Sequence, residues 1–162
     1  MPDQDPKVLQ QQVQDFRAGF QSVLIATTSL EGEPDISYAP FVLDDSGRVC
    51  IYISQLARHT RNLLEQPRAS LMFIAGEQDS RNLFARQRLI LQCTARRVPE
   101  AEAEPVLQQM QARFGKTLEL LRSLPDFLLF RLDVENGSFI KGFGQGWSLE
   151  GNGLQILALR TN

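Results

Sequence analysis

The sequence predicts a mainly β protein in which six or seven short strands form a closed or nearly closed antiparallel barrel, with helices packed outside it. Two observations favour this fold class. Short apolar or alternating segments recur along the chain and are separated by tight turns, as antiparallel strands require. Helical spacing interrupts them at only two or three places. The length of 162 residues and the 43% hydrophobic content suit one domain, residues 1–162.

The first half of the chain predicts two helices and three strands between them. Residues 6–20 carry apolar side chains at roughly helical spacing, and Pro6 stands near the start of that helix. The strands are expected at 22–29, 35–43 and 48–54. The Asp-, Ser- and Gly-containing segment 44–47 is a tight turn. The second helix is expected over about 56–66 and ends at Pro67.

The second half of the chain predicts more strands around a helical stretch. The expected elements are strands at 68–75 and 84–98, helical pieces at 100–115 and 117–124, and strands at 126–134 and 138–143. Glu135-Asn136-Gly137 is a turn signal that joins the last two strands as a hairpin. The apolar stripe of the helix at 100–115 is assigned to the core, and it consists of Val106, Leu107, Met110 and Phe114.

Composition excludes several classes of function. A net charge of −2 does not indicate a basic surface for binding nucleic acid. The apolar runs are too short to span a membrane, and the polar N-terminus lacks a signal-peptide core, so a cytoplasmic location is expected. Cys50 and Cys93 are interpreted as buried, reduced thiols. With a single histidine in the chain, no metal site is expected.

The segment SQLARHTRNL, residues 54–63, places positive charge at a helix start, where the helix dipole is already positive. Ser54 is the expected N-cap, and Arg58, His59 and Arg61 follow it. One interpretation is a solvated face on which Arg61 pairs with Glu65. The other is an anion site in which free backbone N–H groups and the two guanidinium groups converge on a phosphate. The residues alone favour neither interpretation.

A helical projection of this segment divides its side chains into two groups. The polar side is expected to include Asn62, and His59 borders the apolar side. The core-facing group consists of Leu56, Thr60, Leu63 and Leu64.

Several motifs resemble the flavin-binding split barrel of the pyridoxamine-phosphate-oxidase superfamily, and they are most similar to its HugZ-like haem-utilisation branch. These motifs are ISYAPFV (36–42), IYIS (51–54), LARHTRNLLEQPRASLMF (56–73), ARQRL (85–89), LPDFLLFRLDV (124–134) and GFGQGW (142–147). The resemblance covers about residues 8–150. It implies a six-stranded antiparallel split barrel and a homodimer with two cofactor sites at the subunit interface.

The resemblance implies FMN as the cofactor. Arg58 and His59 match an Arg–Lys pair that clamps the FMN phosphate in the oxidases. Ser37 stands where the oxidases carry arginine, and Arg88 stands where they carry glutamine, so the donors are redistributed. The complete set of expected cofactor-binding residues is Ser37, Tyr38, Tyr52, Ile53, Ser54, Arg58, His59, Thr60, Arg61, Arg88, Gly142 and Gly144.

The leading functional hypothesis is therefore an FMN-dependent oxidoreductase that acts on an unknown small molecule. No catalytic side chain is assigned, because the cofactor would carry the chemistry. The first alternative is a haem-binding protein of haem utilisation that uses the same interface cleft. The axial histidine of that branch lies in its C-terminal segment, whereas this sequence has no histidine after His59. The second alternative is a cofactor-free dimeric binding module.

Overall fold

The structure, a computed structural model, describes residues 4–160. In this part of the chain there are four α-helices and eight β-strands. They are α1 (Pro6–Ala18), β1 (Ser22–Thr28), β2 (Pro34–Leu43), β3 (Val49–Ser54), α2 (Arg58–Glu65), β4 (Arg68–Ile74), β5 (Arg88–Arg97), α3 (Glu100–Phe114), α4 (Lys116–Arg122), β6 (Phe127–Gly142), β7 (Gln145–Glu150) and β8 (Gln155–Leu159). None of these helices is long and apolar enough to cross a membrane.

The strands form one antiparallel sheet that closes on itself. Its order is β3-β2-β1-β4-β5-β6-β7-β8, and an additional pairing joins β3 to β6. That pairing runs in register from Val49 opposite Leu132 to Ser54 opposite Phe127. Strands β1 to β6 therefore make a closed barrel, which confirms the predicted six-stranded antiparallel barrel. Strands β7 and β8 extend the sheet from the second half of β6.

Alternating side chains fill the barrel interior, as the period of two residues in each strand requires. Phe41, Phe73 and Phe139 are fully buried there, and the rings of Phe41 and Phe73 meet edge to face at 5.4 Å. Helix α1 packs Leu9 and Val13 against the same core. Burial of these rings, together with the aliphatic side chains of the same core, favours closure of the barrel.

A second apolar cluster fixes helices α3 and α4 on the outside of β2, β3 and β6. Val106 and Met110 of α3 are buried against Val42, Cys50 and Leu129 of the strands. This confirms that the apolar stripe of α3 belongs to the core. Both cysteines are buried and free, as predicted.

The predicted hairpin across residues 135–137 is wrong, because β6 runs through this segment without a turn. The register against β5 shifts between Gln92 and Cys93, so that Glu135 forms a β-bulge. At Gly137 a Cβ atom would lie only 2.3 Å from the carbonyl oxygen of Ile90. The glycine therefore allows two strands to approach closely. In the sequence, a glycine with this role looks the same as a glycine in a turn that reverses the chain.

Two other predicted elements differ from the structure. Strand β5 begins at Arg88 rather than at residue 84, because residues 83–85 form a 3-10 turn. The chain reverses near Gly144, which has a φ of 65°, and then forms β7 and β8. Eight strands therefore stand where six or seven were expected, because two predicted strands merge into β6 whereas β7 and β8 were not predicted. The glycine-rich segment 142–147 contains few β-forming residues, so it did not indicate β7.

Candidate functional site

A cavity of about 520 Å³ lies where β2 and β3 meet α3, α4 and the start of α2. This volume falls within the roughly 300–1,000 Å³ of typical small-molecule sites. Its walls are mostly aromatic and apolar, and the bulky members are Tyr38, Tyr52, Met110, Phe114, Leu118 and Phe127. The chain's single histidine, His59, also lines it.

The expected cofactor-binding residues divide into three groups. Those that line the cavity are Tyr38, Tyr52, Ile53, Ser54 and His59, and Ser37 joins them through a hydrogen bond to His59. Arg58, Thr60 and Arg61 lie beside the cavity on α2 without lining it. Arg88, Gly142 and Gly144 lie elsewhere in the same chain.

Ser54 is not the N-cap of α2, which corrects the sequence-based assignment. The helix begins at Arg58, and its N-cap is Ala57, whose side chain makes no capping bond. Ser54 instead closes the turn before the helix: its hydroxyl donates to Oδ2 of Asp126 at 2.6 Å and accepts from the backbone N–H of Leu56 at 3.1 Å. Residues 55–57 form this extra turn, so the helix starts later than the expected residue 56.

The buried face of α2 agrees with the projection at Leu63, which packs into the barrel core, but it carries more polar groups than expected. Asn62 is buried and donates to Thr27 Oγ1 at 3.0 Å, whereas Leu56 is 88% exposed and Leu64 is half-exposed. Thr60 is buried as expected, and its hydroxyl donates to the carbonyl oxygen of Ser54 at 2.5 Å. Polar groups at the ends of β1 and β3 need partners, so two hydrogen-bonding side chains share this face with Leu63.

The three basic residues of this segment have no common partner in the described part of the chain. Arg58 is 72% exposed at its side chain, and its Nη1 lies 3.9 Å from Oδ1 of Asp35. His59 Nδ1 lies 2.7 Å from Ser37 Oγ, and Arg61 is exposed. A solvent-exposed pair such as Arg58–Asp35 contributes at most about 1 kcal/mol, so it does not hold Arg58 rigidly.

His59 is half-buried, and this burial lowers the pKa of its imidazole below the ordinary value. The carboxylate of Asp35 acts in the opposite direction and offsets part of the effect. The ring is therefore neutral at pH 7. Burial also raises the pKa of the Tyr52 phenol, so this second polar group of the wall is neutral as well.

The remaining expected residues do not line the cavity and lie where β5 begins and β6 ends. Arg88 opens β5 opposite Ile74 and Ile140, and its Nη1 donates to the carbonyl oxygen of Arg86 at 2.9 Å. Gly144 borders a separate hollow of about 540 Å³ beside Trp147 and β8.

Sequence reasoning missed that α3 and α4 line the cavity and that Asp126 holds Ser54, one of the lining residues. Met110 and Phe114 were assigned to the core, and they serve both the second apolar cluster and the cavity wall. A helical stripe in the sequence does not show that a cavity remains beside it. Asp126 carries no signal of its own, because its role as acceptor for Ser54 depends on a contact across 72 positions of the chain.

Comparison with known proteins agrees with the resemblance. The family model of pyridoxamine 5'-phosphate oxidase matches residues 9–141. The haem oxygenase HutZ of Vibrio cholerae is 41% identical over 149 residues, which are 90% of this chain and 84% of HutZ.

Two solved structures share the fold. The crystal structure of HutZ, described as a haem storage protein from Vibrio cholerae, superposes with a TM-score of 0.71 at 39% identity, covering 77% of this chain and 89% of that one. Campylobacter jejuni ChuZ gives a TM-score of 0.85 at 27% identity, covering 99% of this chain and 66% of ChuZ. The chain therefore belongs to the pyridoxamine 5'-phosphate oxidase family, and within it to the haem-utilisation branch.

Proposed function

We propose that this protein binds haem in the cavity between β2, β3 and the α3–α4 pair. The observation that carries the proposal is the chemistry of the lining, in which aromatic and apolar walls surround a single neutral imidazole. A flat apolar macrocycle gains roughly 25 cal/mol for each Å² of apolar surface that such walls remove from water. The 41% identity to a haem oxygenase supports the same ligand.

FMN, the leading hypothesis from the sequence, has weaker support from the geometry. A phosphate dianion is held best by several converging donors. Of the three basic residues, only His59 lines the cavity, whereas Arg58 lies beside Asp35 and Arg61 is exposed. The family model supports flavin binding only in general terms, because it describes a large family rather than this site.

The residues present fit the haem group, and each part of the cavity has a role toward it. Tyr52, Phe114 and Phe127 would exclude water from the macrocycle, and His59 would offer its free ring nitrogen to the ligand. Cys93 would take no part, because it is buried inside the barrel and its pKa is raised to about 12 by burial. Bound haem would supply the iron chemistry, while the protein binds and orients it.

We also propose a homodimer that uses the outer face of β1, β2, β4 and β5. One row of outward side chains crosses these strands in register: Tyr38, Leu24, Met72 and Ile90. Tyr38 is 66% exposed and also lines the cavity, so the cavity adjoins this apolar face. A partner that covers the face would cover the cavity margin too, and it would bring Arg88, which lies on the same face, toward a neighbouring site.

A titration of the purified protein with hemin and, separately, with FMN tests the proposed ligand. We expect a sharp Soret band at one hemin per chain and no quenching of FMN fluorescence. Thr117→Trp places a large ring at the cavity wall and should abolish the Soret band, whereas Leu120→Trp, exposed on the same helix, should leave it unchanged. Quenched FMN with no Soret band overturns the proposal, as does hemin binding that Thr117→Trp leaves intact.

A further inference from the structure

The hydrogen bond between Ser37 and His59 fixes more than the ring's position. Ser37 Oγ lies 2.7 Å from Nδ1 of His59, and both side chains are half-buried. Among the described residues 4–160, neither side chain forms a second hydrogen bond. The Nε2 atom of the ring accordingly remains free for a ligand in the cavity that His59 lines.

The position of the ring proton follows from the needs of the serine hydroxyl. A hydroxyl has one hydrogen to donate, and in the described chain the only acceptor within hydrogen-bond distance of Ser37 Oγ is Nδ1. If Nδ1 carried the proton instead, the hydroxyl hydrogen would have no acceptor among the described residues, and this half-buried hydroxyl would depend on water for its partner. This favours the arrangement in which the hydroxyl donates to Nδ1 and the single proton of the neutral ring lies on Nε2.

The charged groups beside the ring are compatible with this arrangement. Asp35 lies on the same strand as Ser37. Its Oδ1 is 3.9 Å from Nη1 of Arg58, so its negative charge has a positive neighbour. Burial outweighs the attraction of Asp35 and keeps the imidazole neutral at pH 7. A neutral ring has one N–H and one lone pair, and the lone pair is already used by Ser37.

We propose that Ser37 holds His59 with its proton on Nε2, so that His59 donates a hydrogen bond to a carboxylate of the bound tetrapyrrole rather than ligating its iron. An iron ligand needs the lone pair that Nε2 lacks in this tautomer. Ser37 is then a positioning residue, and His59 recognises the anionic edge of the ligand. This inference rests on the proposed haem function for the identity of the ligand, but the tautomer itself does not depend on it.

Nuclear magnetic resonance of the ligand-free protein tests the tautomer. His59 is the only histidine, so ring ¹⁵N–¹H correlation spectra contain a single imidazole. We expect a protonated Nε2 and an Nδ1 that accepts a hydrogen bond. Ser37→Ala should shift the Nδ1 resonance and populate the other tautomer, and Ser37→Thr, which keeps the hydroxyl, should restore the original spectrum. A wild-type spectrum with the proton on Nδ1 overturns the inference.

Parallel titrations with hemin and iron-free protoporphyrin test the carboxylate contact. Both ligands carry the same carboxylates, so His59→Ala should weaken both by the same factor, about tenfold or more for the loss of a charge-assisted hydrogen bond. His59→Gln, which keeps an N–H donor, should recover part of the affinity for both. A loss confined to hemin assigns His59 to the iron and overturns the inference. If neither porphyrin binds, the haem proposal falls and the carboxylate contact with it, while the ligand-free spectrum still decides the tautomer.

Discussion

At the scale of single residues, Asn62 is the clearest case in which a polar side chain stabilises the fold. Its amide is buried and donates to Thr27 Oγ1, which is itself buried. Asn62→Ala leaves the threonine hydroxyl without this partner and should lower the free energy of unfolding by about 1–3 kcal/mol. Urea denaturation measures the loss. Arg61→Ala, at the exposed neighbouring position, should change the stability by less than about 0.5 kcal/mol.

An Asn62→Ala variant as stable as the wild type would show that the hydrogen bond contributes nothing net. A second variant separates the bond from the space that the side chain fills. Thr27→Val removes the hydroxyl at similar volume, so the double variant Thr27→Val with Asn62→Ala should be less destabilised than the sum of the two single variants.

The sequence identified the residues of this helix but not their surroundings. His59 and Thr60 were expected near a ligand or the core. In the structure His59 lines the cavity, and Thr60 is buried on the inner face of α2. Asn62 and Leu56 were assigned to the wrong sides, because an apolar projection assumes that a helix covers an apolar surface. Helix α2 buries Leu63 as projected, but it also meets polar groups at the ends of β1 and β3, and only the three-dimensional arrangement shows this.

At the scale of elements, the long strand β6 depends on a glycine at its crossing with β5. A Cβ at position 137 would lie 2.3 Å from the carbonyl oxygen of Ile90 and 2.9 Å from Cδ2 of Leu91. Gly137→Ala should therefore force the strands apart and destabilise the protein by about 1–3 kcal/mol, the typical cost of overpacking. Thermal unfolding followed by circular dichroism measures this loss.

Gly146→Ala provides the matched control for this prediction. It lies in a neighbouring strand, and its added Cβ would have no neighbour closer than 3.8 Å. Its effect should stay within about 0.5 kcal/mol. Equal stability of the two alanine variants would contradict the close approach at position 137.

The elements themselves were largely predictable, because apolar periodicity reports directly on burial. The first four strands agree with their expected positions to within one residue at either end. The errors occur where one residue pattern serves two geometries. Glu135-Asn136-Gly137 can reverse the chain or form a bulge, and the choice depends on a partner strand more than 40 positions earlier.

At the scale of the whole molecule, the barrel has two kinds of outer surface. Helices α3 and α4 cover β2, β3 and β6, whereas the outward row on β1, β2, β4 and β5 is apolar and accessible. Accessible contiguous apolar surface of this kind is typical of protein interfaces. The cavity shares Tyr38 with that surface, so ligand binding and dimer formation are expected to depend on each other.

Met72→Lys tests this dependence, because Met72 lies in the middle of the row, between Leu24 and Ile90. We expect the wild type to elute as the proposed dimer in size-exclusion chromatography with light scattering. Burying an uncompensated ammonium group at an interface is strongly unfavourable, so the variant should elute at half that mass. Its hemin affinity should fall as well, since the partner no longer covers the cavity margin. Leu120→Lys, which charges an exposed apolar site on α4, should remain dimeric and bind hemin normally. A dimeric Met72→Lys protein with an unchanged circular dichroism spectrum would place the interface elsewhere.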